Sequence, residues 1–203
     1  VNVTRRAALL AIALTAGILG GTVTPALADP VTDPAPLTCL GDGTAPDAAV
    51  RYRTETVIDA PLSTVWQVQT DVQGWPSWQQ PVTSMELLDE GPLRDGSRFR
   101  WTTPAPATPT TPASTMVITS TVHQVLDRSC IRWSGPALGE GVRIDNGIHV
   151  WNFDEVDGKV RVRTEETWTG AQAEADPALS TGLLGAGLEA WLADLKAAAE
   201  ARS

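Results

Sequence analysis

Basic charge is scarce in this sequence: 15 Lys and Arg stand against 24 Asp and Glu, for a formal net charge of −9 with both histidines neutral. No basic cluster focuses a positive field, which argues against nucleic acid and against anionic membrane surfaces as partners. Long apolar runs are lacking as well. The most apolar stretch, 7–20, is shorter than the roughly 18 residues that spanning a bilayer requires and contains Gly17 and Gly20, so no stable membrane insertion is expected. Cysteine and histidine occur twice each, as Cys39, Cys130, His123 and His149. Those spacings make no zinc pattern, and neither a metal nor a cofactor is expected. Ser63 and Ser134 sit in no nucleophile elbow and have no matching His and acid, which leaves covalent hydrolysis unsupported. Tyrosine and phenylalanine are sparse, one and two, against eight tryptophans. A domain hides some of these indoles in its core, but large aromatics spread over several strands also suit the lining of an apolar cavity.

The start of the chain reads as an export signal over 1–28. Arg5 and Arg6 precede the uncharged run 7–20, and Ala26-Leu27-Ala28 is a small-x-small cleavage site before Asp29. Thr4-Arg5-Arg6 also resembles a twin-arginine signal, the route for folded proteins. The expected location is therefore extracellular. Removing the first 28 of 203 residues leaves 175, enough for one domain with a core, and takes the formal charge from −9 to −11. Outside the cytosol a cysteine pair is permissively oxidised, so Cys39 and Cys130 are expected to form a disulfide that ties the N-terminal arm to the rest; two unrelated buried thiols are the alternative.

Residues 29–48 are rich in Pro, Thr, Asp and Gly without apolar periodicity and read as a flexible surface arm. Strands are expected over 50–58, 82–88, 97–102, 115–126, 129–134, 142–154 and 159–169. Pro61 opens a helix that presents Leu62, Val65 and Trp66, and Asp71 to Gln80 reads as a helical turn and loop broken by Gly74 and Pro76. The prolines of 103–112 are expected to hold that connection outside the sheet, and 135–141 is expected to be a loop. Asp157-Gly158 is a hairpin signal. The chain closes on a helix capped by Asp176, with Leu184, Leu188, Trp191, Leu192 and Leu195 on one stripe.

That order, and several strings, resemble the START-like (SRPBCC) superfamily, in particular its polyketide cyclase/dehydrase and lipid transport branch. The strings are Ala60 to Trp66 (APLSTVW), Asp71 to Val82 (DVQGWPSWQQPV), Trp133 to Gly135 (WSG), His149 to Phe153 (HVWNF) and Thr164 to Gly170 (TEETWTG). The resemblance implies an α+β helix-grip fold over 49–203, with a seven-stranded curved antiparallel sheet around the long C-terminal helix and a cavity between them. It also implies a wide range of roles, from lipid carriers to cyclases and aromatases.

Strand alternation nominates the residues that face such a cavity. Phe99 and Trp101 share a face opposite Arg98 and Arg100, and Ile131 and Trp133 share one opposite Arg132. In the next strand Ile144, Ile148 and Val150 are expected on one face, and His149, Trp151 and Phe153 on the other. In the last strand Glu166 falls with Val162 and Trp168, so a carboxyl is expected to point inward. Desolvation raises the pKa of such a group toward the range of a general acid or base, and His149 on the adjacent strand is its natural partner. Both are weak catalytic candidates; plain structural use is the other reading. Trp75 and Trp78 are read as core closure or as the cavity mouth. Candidate ligand contacts are thus Trp75, Trp78, Phe99, Trp101, Trp133, His149, Trp151 and Glu166, with Leu184, Leu188 and Trp191 from the helix. Gly182, Gly185 and Gly187 follow no strand of a βαβ unit and are read as room for close packing rather than a phosphate loop.

Three functions stay open. One is a secreted binding protein for a small apolar molecule, a lipid or polyketide-like compound. Another is a cyclase, aromatase or dehydratase using Glu166 and His149. The third is an extracellular interaction domain whose core is filled. Oligomeric state is not legible.

Overall fold

The computed structural model describes residues 35–203. The expected signal at 1–28 and the first part of the expected arm, 29–34, lie outside the described residues. The described chain begins with a short hairpin of β1 (Thr38–Cys39) and β2 (Asp42–Gly43), then runs through β3 (Val50–Ile58) and α1 (Leu62–Thr70). A 3-10 segment, Val72–Ser77, carries Pro76 within it. Six strands follow: β4 (Ser84–Leu87), β5 (Arg98–Ala105), β6 (Ser114–Leu126), β7 (Cys130–Gly139), β8 (Val142–Val156) and β9 (Lys159–Thr169). The chain ends in α2 (Pro177–Glu200). β3 to β9 form a seven-stranded antiparallel sheet in the order β3-β9-β8-β7-β6-β5-β4.

The fold is the expected α+β helix grip, and local chemistry explains its joints. Asp157 and Gly158 turn β8 into β9 with positive φ at both residues, the requirement of the tight hairpin turn that suits the twist of the strands. The Asp176 carboxylate accepts from Leu179 N at 3.0 Å, and Pro177 occupies the first turn, where its missing N–H costs nothing. The stripe of Leu184, Leu188, Trp191, Leu192 and Leu195 is buried against the sheet. Gly185 is required there: a Cβ on it would meet the Tyr52 ring at 2.7 Å, so only glycine lets the helix lie on β3.

Several boundaries differ from expectation. Thr103–Ala105 is not outside the sheet but continues β5, with Pro104 opposite Thr115. β4 pairs only with Phe99 to Thr102, so Pro104 turns its donor-less nitrogen toward a free edge. The expected loop at 135–141 is mostly strand, because β7 runs on to Gly139. The register shift of β7 on β8 between Gly135 and Ala137 also turns Ile144 inward, where it packs with Ala137 and Ala173. It therefore leaves the face of Val150, to which simple alternation assigns it.

The expected flexible arm is corrected over 35–48. Leu37 and Cys39 are buried with Cys130 and Val150 on the outer face of the sheet. The Cys39–Cys130 disulfide is formed, with the Cα atoms 5.4 Å apart. Glu165, on the outer face of β9, accepts from Leu37 N at 3.0 Å and from the Thr44 hydroxyl at 2.7 Å, and pairs with Arg51. These contacts anchor a segment whose composition alone reads as loose.

Candidate functional site

Small side chains leave a space between α2 and the sheet. On the inward faces of β6, β7 and β8, Ser120, Gly135 and Gly147 lie in one row, with Ala137 at the next inward position of β7, and all four line the gap. Packed clusters close in around it. One holds the lower half of α2 with Trp75, Phe99 and Trp151, and another holds Leu184 and Leu188 with Val50. The result is a cavity of about 720 Å³ that opens between the proline-rich β5–β6 connection and the first turns of α2. Its volume is in the range that holds a molecule of a few hundred daltons. A core filled by the tryptophans, the third expected reading, is overturned by this space.

The structure divides the candidate residues between wall and core. Trp101, Trp133, His149 and Glu166 line the cavity from the sheet, and Leu184, Leu188 and Trp191 line it from α2. Trp75, Trp78, Phe99 and Trp151 do not. Trp75 is fully buried, with its ring centroid 4.8 Å from Trp191 and 5.5 Å from Phe99, and its N–H donates to Gln69 O at 2.9 Å. Trp151 lies one inward position beyond His149 on β8, where Trp133 and Trp191 cover it. Trp78 packs on the outside of the same cluster. Several wall residues lay outside the candidates, Gln79, Gly147 and the prolines of 104–109 among them. Gln79 sits in what reads as a loop, Gly147 has no side chain to signal a role, and the prolines of 104–109 read as a solvent connection.

Antiparallel register places the polar pair. Tyr52, Glu166, His149 and Trp133 lie in one row across β3, β9, β8 and β7. The Glu166 carboxyl meets His149 Nδ1 at 3.1 Å through Oε2 and accepts from Trp168 Nε1–H at 2.7 Å through Oε1. His149 Nε2 is 2.6 Å from the Thr164 hydroxyl, which itself donates to Val150 O at 3.3 Å. A hydroxyl has one hydrogen to give. With that hydrogen on Val150 O, Thr164 Oγ accepts from Nε2–H, and the neutral imidazole presents a bare Nδ1. On that count a hydrogen bond from Oε2 to Nδ1 needs Glu166 in its acid form. A Cβ on Gly147 would stand 3.1 Å from Glu166 Oε1, so a side chain there would crowd the carboxyl.

The electrostatics agree with this proton count. Burial away from water pushes Glu166 up to about 7, partly opposed by the indole donor. The same desolvation pushes His149 down to about 3. Both shifts favour uncharged forms; Arg143, the cation among the cavity-lining residues, pairs with Asp145 rather than with Glu166. Glu166 nonetheless keeps 18% of its side chain exposed, on the wall of the cavity. The arrangement is a carboxylic acid poised near neutrality, steered by an imidazole and an indole. Among the described residues no set of His, Cys, Asp and Glu gathers as metal ligands, and no helix is long and apolar enough to cross a membrane.

Solved structures with this architecture are numerous. A hypothetical protein, jhp0584, from Helicobacter pylori superposes with a TM-score of 0.61 at 18% identity, covering 83% of this chain and 98% of its own. A START superfamily protein from Mycobacterium smegmatis gives 0.59 at 12% identity, over 75% of this chain and 99% of its own. The di-domain ARO/CYC StfQ from the steffimycin biosynthetic pathway gives 0.53 at 19% identity, with 73% of this chain on 44% of that one. At such identities the likeness is one of fold. Among curated proteins no match is found. The sequence model for "Polyketide cyclase / dehydrase and lipid transport" matches residues 49–200, the sheet and grip helix together. With the fold, the cavity and that match in agreement, the chain belongs to the polyketide cyclase/dehydrase and lipid transport family of the START-like superfamily.

Proposed function

We propose that this protein binds a small apolar ketone, polyketide-like in character, and moves a proton at the carbon beside its carbonyl. Cyclisation, aromatisation and dehydration share that step. The observation that supports it is the Glu166–His149 pair on the cavity wall, 3.1 Å apart. A carrier needs only apolar walls: burying about 300 Å² of ligand surface contributes about 7 kcal/mol before ordering costs. A desolvated acid costs stability and adds nothing to such binding, which favours the enzyme over the carrier.

In the proposed step the Glu166 carboxylate takes the proton from the α-carbon. The C–H bond breaks, an O–H bond forms, and the electron pair moves onto the carbonyl oxygen as an enolate. His149 Nδ1 then accepts a hydrogen bond from the new acid and holds it in place. The reverse step returns a proton to carbon.

The test is hydrogen exchange of 1-tetralone in D₂O, followed by NMR at carbon 2. Catalysed exchange is expected, rising about tenfold per pH unit below pH 7 and levelling above it, because the carboxylate is the active form. Exchange no faster than in buffer would overturn the reading. The protein is also proposed to work outside the cytosol, on the strength of the Cys39–Cys130 disulfide and the signal-like start. Sequencing of the exported protein should begin at Asp29, and full-length protein retained inside the cell would refute export.

A further inference from the structure

Gln79 is 2% exposed and lines the cavity, yet its Oε1 has no hydrogen-bond partner. The buried Nε1 of Trp101, on the same wall, has none either. Buried polar atoms are nearly always paired, and each one left unpaired is a standing cost that a ligand atom can remove.

Backbone contacts tie together the elements that carry these two residues. Val82 N donates to Gln79 O at 3.0 Å, and Thr83 N donates to Thr102 O at 2.9 Å, beside Trp101 on β5. Gln80 N donates to the Asp194 carboxylate on α2 at 3.2 Å. The turn carrying Gln79 is therefore pinned between the strand of Trp101 and the helix of Trp191. An indole N–H and an amide oxygen make one donor and one acceptor. That pair complements a hydroxyl or phenol, which accepts one hydrogen bond and donates another. A ketone oxygen would leave Gln79 unmet.

Trp191 separates this point from the acid. Its ring lies 5.5 Å from the Trp101 ring and 6.4 Å from the His149 ring. Its own N–H is taken by Gln69 Oε1 at 3.1 Å, so it offers the cavity only apolar surface. A flat apolar body against Trp191 thus has one polar group on either side of it. We infer that Gln79 and Trp101 form a second anchor, which takes a hydroxyl or phenol at the end of the ligand remote from Glu166. The ligand is then a ring compound oxygenated at both ends, and this rests on the ketone reading above.

The test compares 1-tetralone with 6-hydroxy-1-tetralone by calorimetric titration of the mature protein. One added buried hydrogen bond of ordinary strength predicts roughly tenfold tighter binding of the hydroxy ketone. Gln79→Leu and Trp101→Phe should each bring the two ketones to about the same affinity. Gln79→Leu should also melt no lower than the parent protein, because it removes an unpaired buried amide atom. Equal affinities in the parent protein, or a preference that survives both substitutions, would overturn the anchor. If both ketones bind equally and α-exchange persists, only the anchor fails. If neither ketone binds, the cavity reading fails and the anchor goes with it.

Discussion

Glu165 and Glu166 are neighbours on one strand and live in opposite surroundings. Glu165 points to the outer face, where the docked N-terminal segment covers it to 2% exposure and supplies two donors, and where β3 supplies a cation, Arg51. Glu166 points into the cavity, where it meets an indole donor and a neutral imidazole but no cation. Burial alone therefore does not decide what a carboxyl becomes. A partner of opposite charge turns it into a structural tie, and desolvation without one turns it into an acid that titrates near neutrality. Strand alternation separates the two roles by a single residue.

The comparison breaks most sharply in the reaction. Glu166→Gln keeps the shape and the Trp168 contact but removes the base. α-Exchange of 1-tetralone is expected to fall by about a hundredfold or more, with the fold retained by circular dichroism. Glu165→Gln should do the reverse. It leaves Arg51 without its partner at a site where the guanidinium is 31% exposed, so water offsets part of the loss. Urea unfolding should show a decrease of about 2 kcal/mol, with exchange changed less than about twofold. If Glu165→Gln slowed exchange as much as Glu166→Gln, the two faces of the sheet would not be independent.

A smaller effect sharpens the picture through pH. Glu166 is raised from its ordinary 4.5 to about 7, so the stability it contributes is full below pH 4.5 and is lost as pH rises through 7. His149 is lowered from 6.5 to about 3, so its contribution is present above pH 6.5 and is lost as pH falls through 3. Between pH 4.5 and 6.5 the two slopes oppose, and the pair together adds almost no pH dependence. Glu166→Gln removes one slope. Relative to the parent protein, its unfolding free energy should then climb with pH from about 4.5 to 7, as read in urea titrations across that range. Parallel curves for the two proteins would mean that Glu166 titrates as an ordinary exposed carboxyl.

Much of this architecture was legible before any coordinates. Alternating polar and apolar residues told the inner face of β9 from its outer face, because a strand offers only two directions and Arg161 and Arg163 occupy one of them. A helical stripe of leucines with Trp191 demanded a sheet to cover it. Those rules are local and periodic, so the inward Glu166 and its neighbour His149 followed from them, while the helix grip came from the resemblance of several strings to the START-like superfamily.

What alternation does not measure is depth. Trp101, Trp133 and Trp151 all face inward, yet only the first two reach the cavity, because the third lies where α2 packs down on the sheet. The same limit hid Gln79 and Gly147, whose roles come from what stands opposite them. It hid the docking of residues 35–48 too, since polar loop-like segments carry no periodic signal and are held by single contacts such as Leu37 N to Glu165. The sequence by itself determined which side the regular strand residues face, Ile144 beyond the bulge excepted, and that a long helix must close the sheet, for these depend on neighbours a few positions away. Only the tertiary structure decided where the packing stops short and leaves a cavity. It alone set the surroundings that raise Glu166 toward neutrality, because burial, an imidazole and an indole are brought together there across strands.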